Sequence, residues 1–237
     1  MRALVLAAGC GERLRPLTAD RPKPMIEIGG KPVLQYNIEL LARAGVREAV
    51  VNLHYQPDAI RSHFGDGRRF GVTIAYEYEP ELLGTAGAAR NAAARLRNGD
   101  FIVVYGDNLS TIDIAALTAF HREKDADLTI ALFHRDDPGP SGIVAVDADS
   151  RVTRFVEKPR AGDVFSRWVN AGYLVAKSSV LDLIPADRPY DFGRDLLPRL
   201  IGDGARVFGY RMTEPLWWID SLEDYRRTQA AFAEQAT

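Results

Sequence analysis

The chain has 237 residues, enough for one large α/β domain or two small ones with a substantial buried core. Its net charge of −2 and its pI near 6.1 give no electrostatic reason to expect nucleic-acid binding. No apolar run approaches the ~20 residues that a membrane-spanning helix needs, so we expect no membrane partner.

The cysteine content and the first residues of the chain favour a cytoplasmic location. The single cysteine, Cys10, cannot form an intrachain disulfide, which fits a reducing compartment. The chain enters an apolar run without a basic leader, so we expect no secretory signal. Cys10 lies in a glycine-rich turn, where we interpret it as a small filler and not as a catalytic thiol.

The first predicted element is a strand followed by a loop of small residues. The apolar residues 3–6 predict a buried parallel strand. Residues 7–13 read Ala-Ala-Gly-Cys-Gly-Glu-Arg, and such a backbone can approach an anion closely with its N–H groups. Arg13 and the later Lys23, which stands between two prolines, add two cations. The segment therefore predicts a binding site for a polyphosphate.

This glycine loop matches neither of the two common nucleotide-binding motifs. A dinucleotide-binding loop requires a third glycine where Leu14 stands, and the prolines at 16, 22 and 24 interrupt the helix that should follow. The P-loop pattern G-x-x-x-x-G-K-[ST] is absent. A dehydrogenase is therefore disfavoured. A turn that binds nothing is the weaker alternative, because two cations beside such a turn are costly without an anion.

Helix and strand patterns alternate from residue 31 to residue 134. Apolar or alanine-rich periodicity predicts helices at 31–44, 57–64, 86–96 and 112–124. Short apolar or alternating runs predict strands at 48–53, 72–78, 101–105 and 127–134. This alternation is typical of a doubly wound α/β sheet.

Strands dominate the pattern after Pro138. Residues 142–147 and 152–157 predict a hairpin, and further strands are expected at 168–175, 205–212 and 215–220. Helices are expected at 180–184, 192–201 and 222–235. Because no linker or repeat separates these elements, we predict one domain over residues 1–237, with a small substrate-facing β lobe in its second half.

Polar residues follow three of the predicted strands. Ligands of open α/β sheets lie beyond the carboxyl ends of the strands. The glycine loop follows the first strand, residues 79–87 follow the strand at 72–78, and Asp107 follows the strand at 101–105. We therefore expect these three segments to line one site.

Two aspartates are the candidate metal ligands. Asp107 follows Gly106 at the end of a buried strand, and Asp220 ends the strand predicted at 215–220. Two carboxylates completed by phosphates and waters suit Mg²⁺. The alternative is that each aspartate is an ordinary helix cap or turn residue. The histidines have no zinc-ligand spacing, so we expect no zinc site.

The segment 3–25 resembles the signature of a known enzyme family. L-A-A-G-x-G-x-R-L-x-P-L-T followed by K-P-M is similar to the motif of the sugar-1-phosphate nucleotidyltransferases, although Ala8 and Glu12 stand where Gly and Thr are more usual. The resemblance covers nearly the whole chain. It implies a Rossmann-like, glycosyltransferase-A-like fold and an enzyme that converts an NTP and a sugar 1-phosphate into an NDP-sugar and pyrophosphate. It also implies Mg²⁺ bound by Asp107 and Asp220.

The expected site residues divide into two halves. Those assigned to the nucleotide are Leu6, Ala7, Ala8, Gly9, Gly11, Glu79, Gly84, Thr85 and Asp107. Through the motifs S-G-I-V, V-E-K-P and N-A-G, the resemblance assigns to the sugar phosphate Gly142, Glu157, Lys158 and Asn170. The catalytic cations are Arg13, Lys23 and Lys158. The nucleotide-binding part covers about 1–137 and the sugar-phosphate-binding part about 138–237.

The segment 79–87 bears on the identity of the base. E-P-E-L-L-G-T-A-G resembles E-x-E-P-L-G-T-A-G of the mannose- and heptose-1-phosphate guanylyltransferases, with Leu82 in place of proline. A glutamate accepts two hydrogen bonds, which suits the adjacent N–H donors of guanine, so GTP is favoured.

Several alternatives remain open at this point. One is a uridylyltransferase acting on an amino-sugar 1-phosphate such as N-acetylmuramate 1-phosphate, another a thymidylyltransferase, and a third a catalytically inactive sugar-nucleotide-binding regulatory subunit. Trp217 and Trp218 are assigned to core packing, with a sugar platform or a homodimer contact as alternatives.

Overall fold

The structure, a computed structural model, describes residues 1–235. Its strands in chain order are β1 (Arg2–Leu6), β2 (Glu27–Ile28), β3 (Lys31–Pro32), β4 (Glu48–Leu53), β5 (Thr73–Tyr78), β6 (Phe101–Tyr105), β7 (Asn108–Ser110), β8 (Leu128–His134), β9 (Gly142–Val146), β10 (Val152–Glu157), β11 (Trp168–Ala176), β12 (Val207–Arg211) and β13 (Leu216–Trp218). Its α-helices are α1 (Val33–Arg43), α2 (Pro57–Phe64), α3 (Thr85–Asn91), α4 (Ala93–Leu96), α5 (Ile114–Glu123), α6 (Leu197–Gly202) and α7 (Leu222–Gln235).

The chain forms two compact units that interleave in sequence. The N-terminal unit comprises Arg2–Leu82, Val104–Thr111 and the described residues from Glu214 onward. The central unit comprises Met1, Leu83–Val103 and Ile112–Thr213. The functional boundary expected near residue 137 falls inside the central unit, and that functional division stays a prediction.

A parallel sheet of β1, β4 and β5 forms the centre of the N-terminal unit. β4 lies in the middle, with Leu6 of β1 level with Asn52 and with Leu53 level with Tyr78 of β5. Residues 3–5 of β1 and the apolar residues of β4 are at most 3% exposed, as expected for parallel strands covered on both faces. Because the strands are parallel, the glycine loop after β1 and Glu79 after β5 leave the sheet at the same edge.

Helix α1 begins two residues later than the periodicity predicts. Lys31 and Pro32 pair instead with β2 in a short hairpin. Gly29 and Gly30 form its two-residue turn, and both have positive φ, 57° and 76°, as tight hairpin turns require. At the other end of α1, Gly45 takes a φ of 80° and donates to the carbonyl of Ala42, which confirms the predicted stop.

The central unit contains a mixed sheet in the order β10-β9-β11-β8-β12. β9 and β10 form the predicted antiparallel hairpin, β11 pairs antiparallel with β8 and β9, and β12 pairs parallel with β8. With the parallel strands of the N-terminal unit, this confirms the predicted fold class, an α/β protein with a mixed sheet. None of the described helices is long and apolar enough to cross a bilayer.

Three helical predictions differ in detail from the structure. The helix expected at 86–96 is interrupted at Ala92, where ψ is 4°. The one expected at 180–184 is a 3₁₀ helix over Ser178–Leu183. The one expected at 192–201 begins as a π-helix over Phe192–Leu196 before it continues as α6. Periodicity detects a buried helical face but does not distinguish among helix types.

An apolar cluster lies in the N-terminal unit and includes Leu14, which follows the glycine loop. Its fully or nearly fully buried members are Leu14, Ile26, Ile28, Val33, Leu109 and Ile219. Trp217 packs against this cluster and meets Phe232 edge-on at 5.2 Å between ring centroids. Core packing is therefore the correct interpretation of Trp217.

Candidate active site

The glycine loop leaves β1 as a short, tightly bonded turn. Ala7 and Ala8 are buried, Gly9 is exposed, and the chain then forms a 3₁₀ turn over Glu12–Leu14. The Thr18 hydroxyl donates to the carbonyl oxygen of Gly11 at 2.8 Å and ties the two ends of the loop together. The absence of a long helix agrees with the prolines in the sequence.

Gly11 brings the glycine loop against Lys23. Its φ is +65°, and a Cβ at this position would lie 2.7 Å from Lys23 Cβ and 3.0 Å from Thr18 Cγ2. A residue with a side chain would be both strained and in collision here, so the glycine is required. The loop and Lys23 are therefore one packed structure.

Lys23 bridges the two aspartates that the sequence selects as metal ligands. Its Nζ donates to Asp107 Oδ2 at 2.8 Å and to Asp220 Oδ1 at 2.6 Å. Arg13 approaches the same Asp220 oxygen at 3.5 Å, with 70% of its side chain exposed. Four of the predicted site residues thus form one cluster of two cations and two carboxylates.

The two carboxylates keep Lys23 protonated. Its side chain is only 10% exposed, and burial by itself would lower the pKa of its ammonium group. The charges and hydrogen bonds of Asp107 and Asp220 outweigh burial and raise the pKa above its ordinary value. Lys23 therefore carries a full positive charge at neutral pH.

Neither aspartate is a helix cap. Asp107 precedes β7, and the cap of α5 is Asp113, whose carboxylate accepts from the Ala116 N–H at 2.9 Å. Asp220 precedes α7, but the Ser221 hydroxyl oxygen accepts from the Asp224 N–H at 3.0 Å and supplies that cap. The capping alternative raised by the sequence is therefore wrong for both carboxylates.

Gly106 lets the end of β6 approach the end of β1. Its N–H donates to the Leu6 carbonyl at 2.9 Å, and a Cβ here would lie 2.8 Å from that same oxygen. Only glycine permits this approach. Because Asp107 is the next residue, the close contact fixes the carboxylate relative to the start of the glycine loop.

The donor set fits a hard divalent cation that is completed by phosphate and water. Asp107 Oδ2 and Asp220 Oδ1 both accept from Lys23 Nζ. These two carboxylate oxygens therefore lie close enough together to contact one ion. Among the side chains that the structure describes, which are those of residues 1–233, no group of three or more His, Cys, Asp and Glu is arranged to hold a metal. Two carboxylates without a further protein ligand suit Mg²⁺ better than Zn²⁺.

Glu79 is connected to the start of the glycine loop through the side chain of Asn52. The residue is 1% exposed, and its Oε1 accepts from Asn52 Nδ2 at 2.9 Å. The Asn52 Oδ1 in turn accepts from the Ala7 N–H at 2.7 Å. The carboxylate that was expected to read the base is thus buried and engaged with a neighbouring side chain, a contact that the sequence analysis missed.

In the central unit, Glu157 is enclosed between two glycines. A Cβ at either Gly142 or Gly193 would lie 2.6 Å from Glu157 Oε2. Gly142 was predicted from its motif, whereas Gly193 lies in the π-helix and was read as part of an ordinary helix. Burial raises the pKa of Glu157, an effect that Lys158 and Arg194 partly offset.

Lys158 and Asn170 lie at the end of β10 and near the start of β11, the two strands that flank β9 in the central unit. Lys158 is exposed, follows β10 directly and has a φ of +49°, which is rare for any residue with a side chain. Its N–H donates to the Ser141 carbonyl at 3.2 Å. The Asn170 Oδ1 accepts from the Gly172 N–H at 2.9 Å, at the irregular point in the pairing of β11 with β8.

Gly84 and Thr85 are joined to the segment before the π-helix. The N–H groups of Ala86 and Gly87 both donate to the Tyr190 carbonyl, at 2.9 and 2.8 Å. The Thr85 N–H and hydroxyl donate to Asp191 Oδ1, each at 3.1 Å. The first amides of α3 are therefore bonded within the protein, and the expected contacts of Gly84 and Thr85 with a nucleotide stay a prediction.

Comparison with known proteins shows which family model and which proteins this chain is similar to. The family model described as nucleotidyl transferase matches residues 2–234. A mannose-1-phosphate guanylyltransferase of Mycobacterium tuberculosis is 38% identical over 96% of this chain, and a UTP–glucose-1-phosphate uridylyltransferase of a Synechocystis species is 35% identical over 95% of it. The chain spans 63% and 61% of the length of these two relatives.

A solved structure of similar size extends the likeness to three dimensions. It is described as HddC from Yersinia pseudotuberculosis complexed with GMP-PN. The TM-score is 0.81 with 28% sequence identity, and the match covers 98% of this chain and 99% of that one.

Proposed function

This chain belongs to the nucleotidyl transferase family, and from that premise we propose that it transfers a nucleotidyl group from an NTP to a sugar 1-phosphate. The observation that carries the proposal is the cluster of Lys23, Asp107 and Asp220 beside the glycine loop. In this cluster the ammonium group of Lys23 can donate to a phosphate, and the two carboxylates can bind a metal ion. The proposal that the protein is a catalytically inactive subunit is disfavoured because these groups are all present.

The reaction joins two anions, and the cationic side chains reduce the repulsion between them. A phosphate oxygen of the sugar 1-phosphate attacks the α-phosphorus of the NTP, and the bond from that phosphorus to the bridging oxygen of pyrophosphate breaks. Arg13 and Lys23 stabilise the charge on the triphosphate and on the departing pyrophosphate. No protein nucleophile is needed, because positioning and charge supply the catalysis.

Asp107 and Asp220 are the residues that would hold Mg²⁺. When bound, the ion adds positive charge on the phosphates and orients them. The protein contributes the position of the carboxylates: Gly106 fixes Asp107 against β1, and the end of β13 places Asp220 opposite the same lysine. When phosphates arrive, Lys23 can donate to them with the same ammonium protons.

The central unit supplies the groups suited to the sugar phosphate. Glu157 can accept hydrogen bonds from sugar hydroxyls, because a carboxylate offers two acceptor oxygens and two glycines leave its Oε2 uncovered by a side chain at their positions. Lys158 offers an exposed cation for the phosphate, held in a strained conformation. Asn170 keeps its amide nitrogen as a donor, because its oxygen accepts from Gly172.

We propose GTP as the nucleotide and a mannose- or heptose-type 1-phosphate as the acceptor. The guanylyltransferase relative at 38% identity and the 28% identical structure complexed with GMP-PN support guanine. The uridylyltransferase relative at 35% identity keeps UTP as the second candidate. The single cysteine supports a cytoplasmic location, and a homodimer stays a prediction.

A matrix of nucleotides and sugar phosphates tests the proposed function. The purified protein is incubated with Mg²⁺ and GTP, UTP, dTTP, CTP or ATP, each with a panel of sugar 1-phosphates, and pyrophosphate release is measured. We expect release with GTP and mannose 1-phosphate, and none when the sugar phosphate is omitted. Release with UTP or dTTP but not GTP would reject the guanylyl assignment, and no release in any combination would reject the activity.

The substitution Gly193→Ala tests the role of Glu157. The added methyl group would lie 2.6 Å from Glu157 Oε2 and 3.2 Å from its Cδ, so the carboxylate must move. We expect KM for the sugar 1-phosphate to rise about tenfold or more, because a shift of 1 Å in a positioning group can cost up to ~100-fold. KM for the NTP should change by less than about twofold.

Gly202→Ala is the matched control for this substitution. It adds the same methyl group to α6 in the same unit, where no described atom lies within 4 Å of the new Cβ. We expect its steady-state constants to equal those of the unsubstituted protein. Equal KM values for the sugar phosphate in both variants would contradict a role for Glu157 in sugar binding.

A further inference from the structure

A buried hydrogen-bond relay ties together the ends of the three parallel strands in the N-terminal unit. Asn52 lies near the end of β4, the middle strand, level with Leu6. Its side chain reaches the first residue beyond β1, Ala7, and the first residue beyond β5, Glu79. All three relay residues are at most 4% exposed, so burial of their polar groups would be costly without hydrogen bonds such as these.

The chemistry of the three groups fixes the direction of the relay. The Glu79 Oε1 accepts from the amide NH₂ of Asn52. The carbonyl end of that amide is then turned toward the Ala7 N–H, which only donates. The distances of 2.9 and 2.7 Å are those of full hydrogen bonds.

The backbone of Glu79 is fixed on both sides. Its N–H donates to the Leu53 carbonyl at 2.8 Å, and its carbonyl oxygen lies 2.8 Å from His54 Nδ1. These backbone contacts restrict where the Glu79 carboxylate can lie, and it bonds to Asn52 from that position. Two hydrogen bonds through Asn52 connect this carboxylate to Ala7, where the loop leaves β1.

We propose that Glu79 and Asn52 are positioning residues for the nucleotide loop and that Glu79 acts through Asn52 and Ala7 rather than on the base. The Ala7 N–H is committed to Asn52, so the amides available to a nucleotide begin after Ala7. By holding Ala7, the relay sets the direction in which Ala8 and Gly9 leave β1. This inference rests on the proposed function, since it assigns the loop to an NTP.

An exchange of the two polar side chains tests the relay. Asn52→Asp removes the amide donor and places a second carboxylate against Glu79, so we expect the dissociation constant for GTP to rise at least tenfold at pH 8. Glu79→Gln keeps an oxygen that can accept from Asn52, so we expect a change of about threefold or less. In the double variant N52D/E79Q the glutamine amide donates to the aspartate, which still accepts from the Ala7 N–H. The dissociation constant for GTP should therefore return to within about threefold of that of the unsubstituted protein.

The same four proteins distinguish the relay from direct base recognition. If the Glu79 carboxylate bonds to guanine, Glu79→Gln alone weakens GTP binding strongly and the double variant is no better than either single variant. That pattern would overturn the proposal. KM for the sugar 1-phosphate should stay constant across the series, whereas a general loss of structure would raise both KM values and lower Tm in proportion.

A measurement without substrate separates this inference from the proposed function. In protein labelled with ¹⁵N-alanine, we expect the Ala7 amide proton to be shifted downfield and slow to exchange in the unsubstituted protein and in N52D/E79Q. In Asn52→Asp it should exchange faster. If the protein binds no NTP but this pattern holds, the proposed function fails and the relay stands, whereas an Ala7 amide insensitive to all three variants overturns the relay.

Discussion

Replacing Lys23 by methionine is expected to lower kcat with GTP and sugar 1-phosphate by about 10²–10³-fold. Methionine keeps most of the length of the side chain but removes the charge that bridges Asp107 and Asp220. The loss corresponds to about 3–4 kcal/mol, the usual effect of removing one well-placed charged donor from a phosphate transition state. Steady-state pyrophosphate release at saturating substrates measures it.

The same substitution should strengthen metal binding in the absence of nucleotide. In the structure the Lys23 ammonium group forms ion pairs with both carboxylates, so a divalent cation must compete with Lys23 to bind them. Without the lysine, two neighbouring carboxylates remain without a shared cation. We expect Mn²⁺, used as a probe for Mg²⁺, to bind Lys23→Met at least tenfold more tightly by electron paramagnetic resonance.

Two variants serve as controls for Lys23. Lys31→Met removes another lysine of the same unit, which pairs with Glu39 at 2.8 Å, and should change neither turnover nor Mn²⁺ affinity. Arg13→Ala should lower turnover but leave protein stability nearly unchanged, because Arg13 is mostly exposed and its 3.5 Å ion pair is weak. Turnover within threefold and unchanged Mn²⁺ affinity for Lys23→Met would reject the bridging role.

The sequence predicts the strands and the glycine loop well because both leave local patterns. The apolar runs of β1, β4 and β6 mark strands buried on both faces, and the order of strands and helices limits the possible sheets. The two-residue hairpin turn at Gly29 and Gly30 was missed, although a Gly-Gly pair is a recognised hairpin signal. Its strands have only two residues each, too few to show alternation.

The contacts that define the site are long-range and leave weaker signals. Lys23 meets partners 84 and 197 residues away, so no local spacing could pair it with them. Asn52 did leave a signal, since an amide inside the apolar run of β4 must find buried hydrogen bonds. Gly193 left no signal in the helical periodicity. Its close approach to the Glu157 carboxylate arises only when the fold brings the two segments together.

Replacing Asp220 by asparagine should lower kcat by about 10²–10³-fold and raise the Mg²⁺ concentration needed for half-maximal rate. The amide is nearly the same size as the carboxylate but carries no charge, and a neutral oxygen is a poor ligand for a small divalent cation. Lys23 keeps only Asp107 as an ionised partner, so the cluster gains positive charge at the same time. A titration of Mg²⁺ at fixed GTP separates the metal requirement from turnover.

Asp113→Asn is the matched control for Asp220→Asn because it makes the same chemical change at a helix cap. Asparagine caps helices about as well as aspartate does, so we expect α5, the Mg²⁺ requirement and turnover to be retained. If Asp220→Asn behaves like this control, Asp220 serves only as an ion-pair partner of Lys23 and Arg13. If Asp220→Asn alone shifts the Mg²⁺ titration, the negative charge of Asp220 supports metal binding, and loss of a helix cap cannot explain the shift because Ser221 rather than Asp220 caps α7.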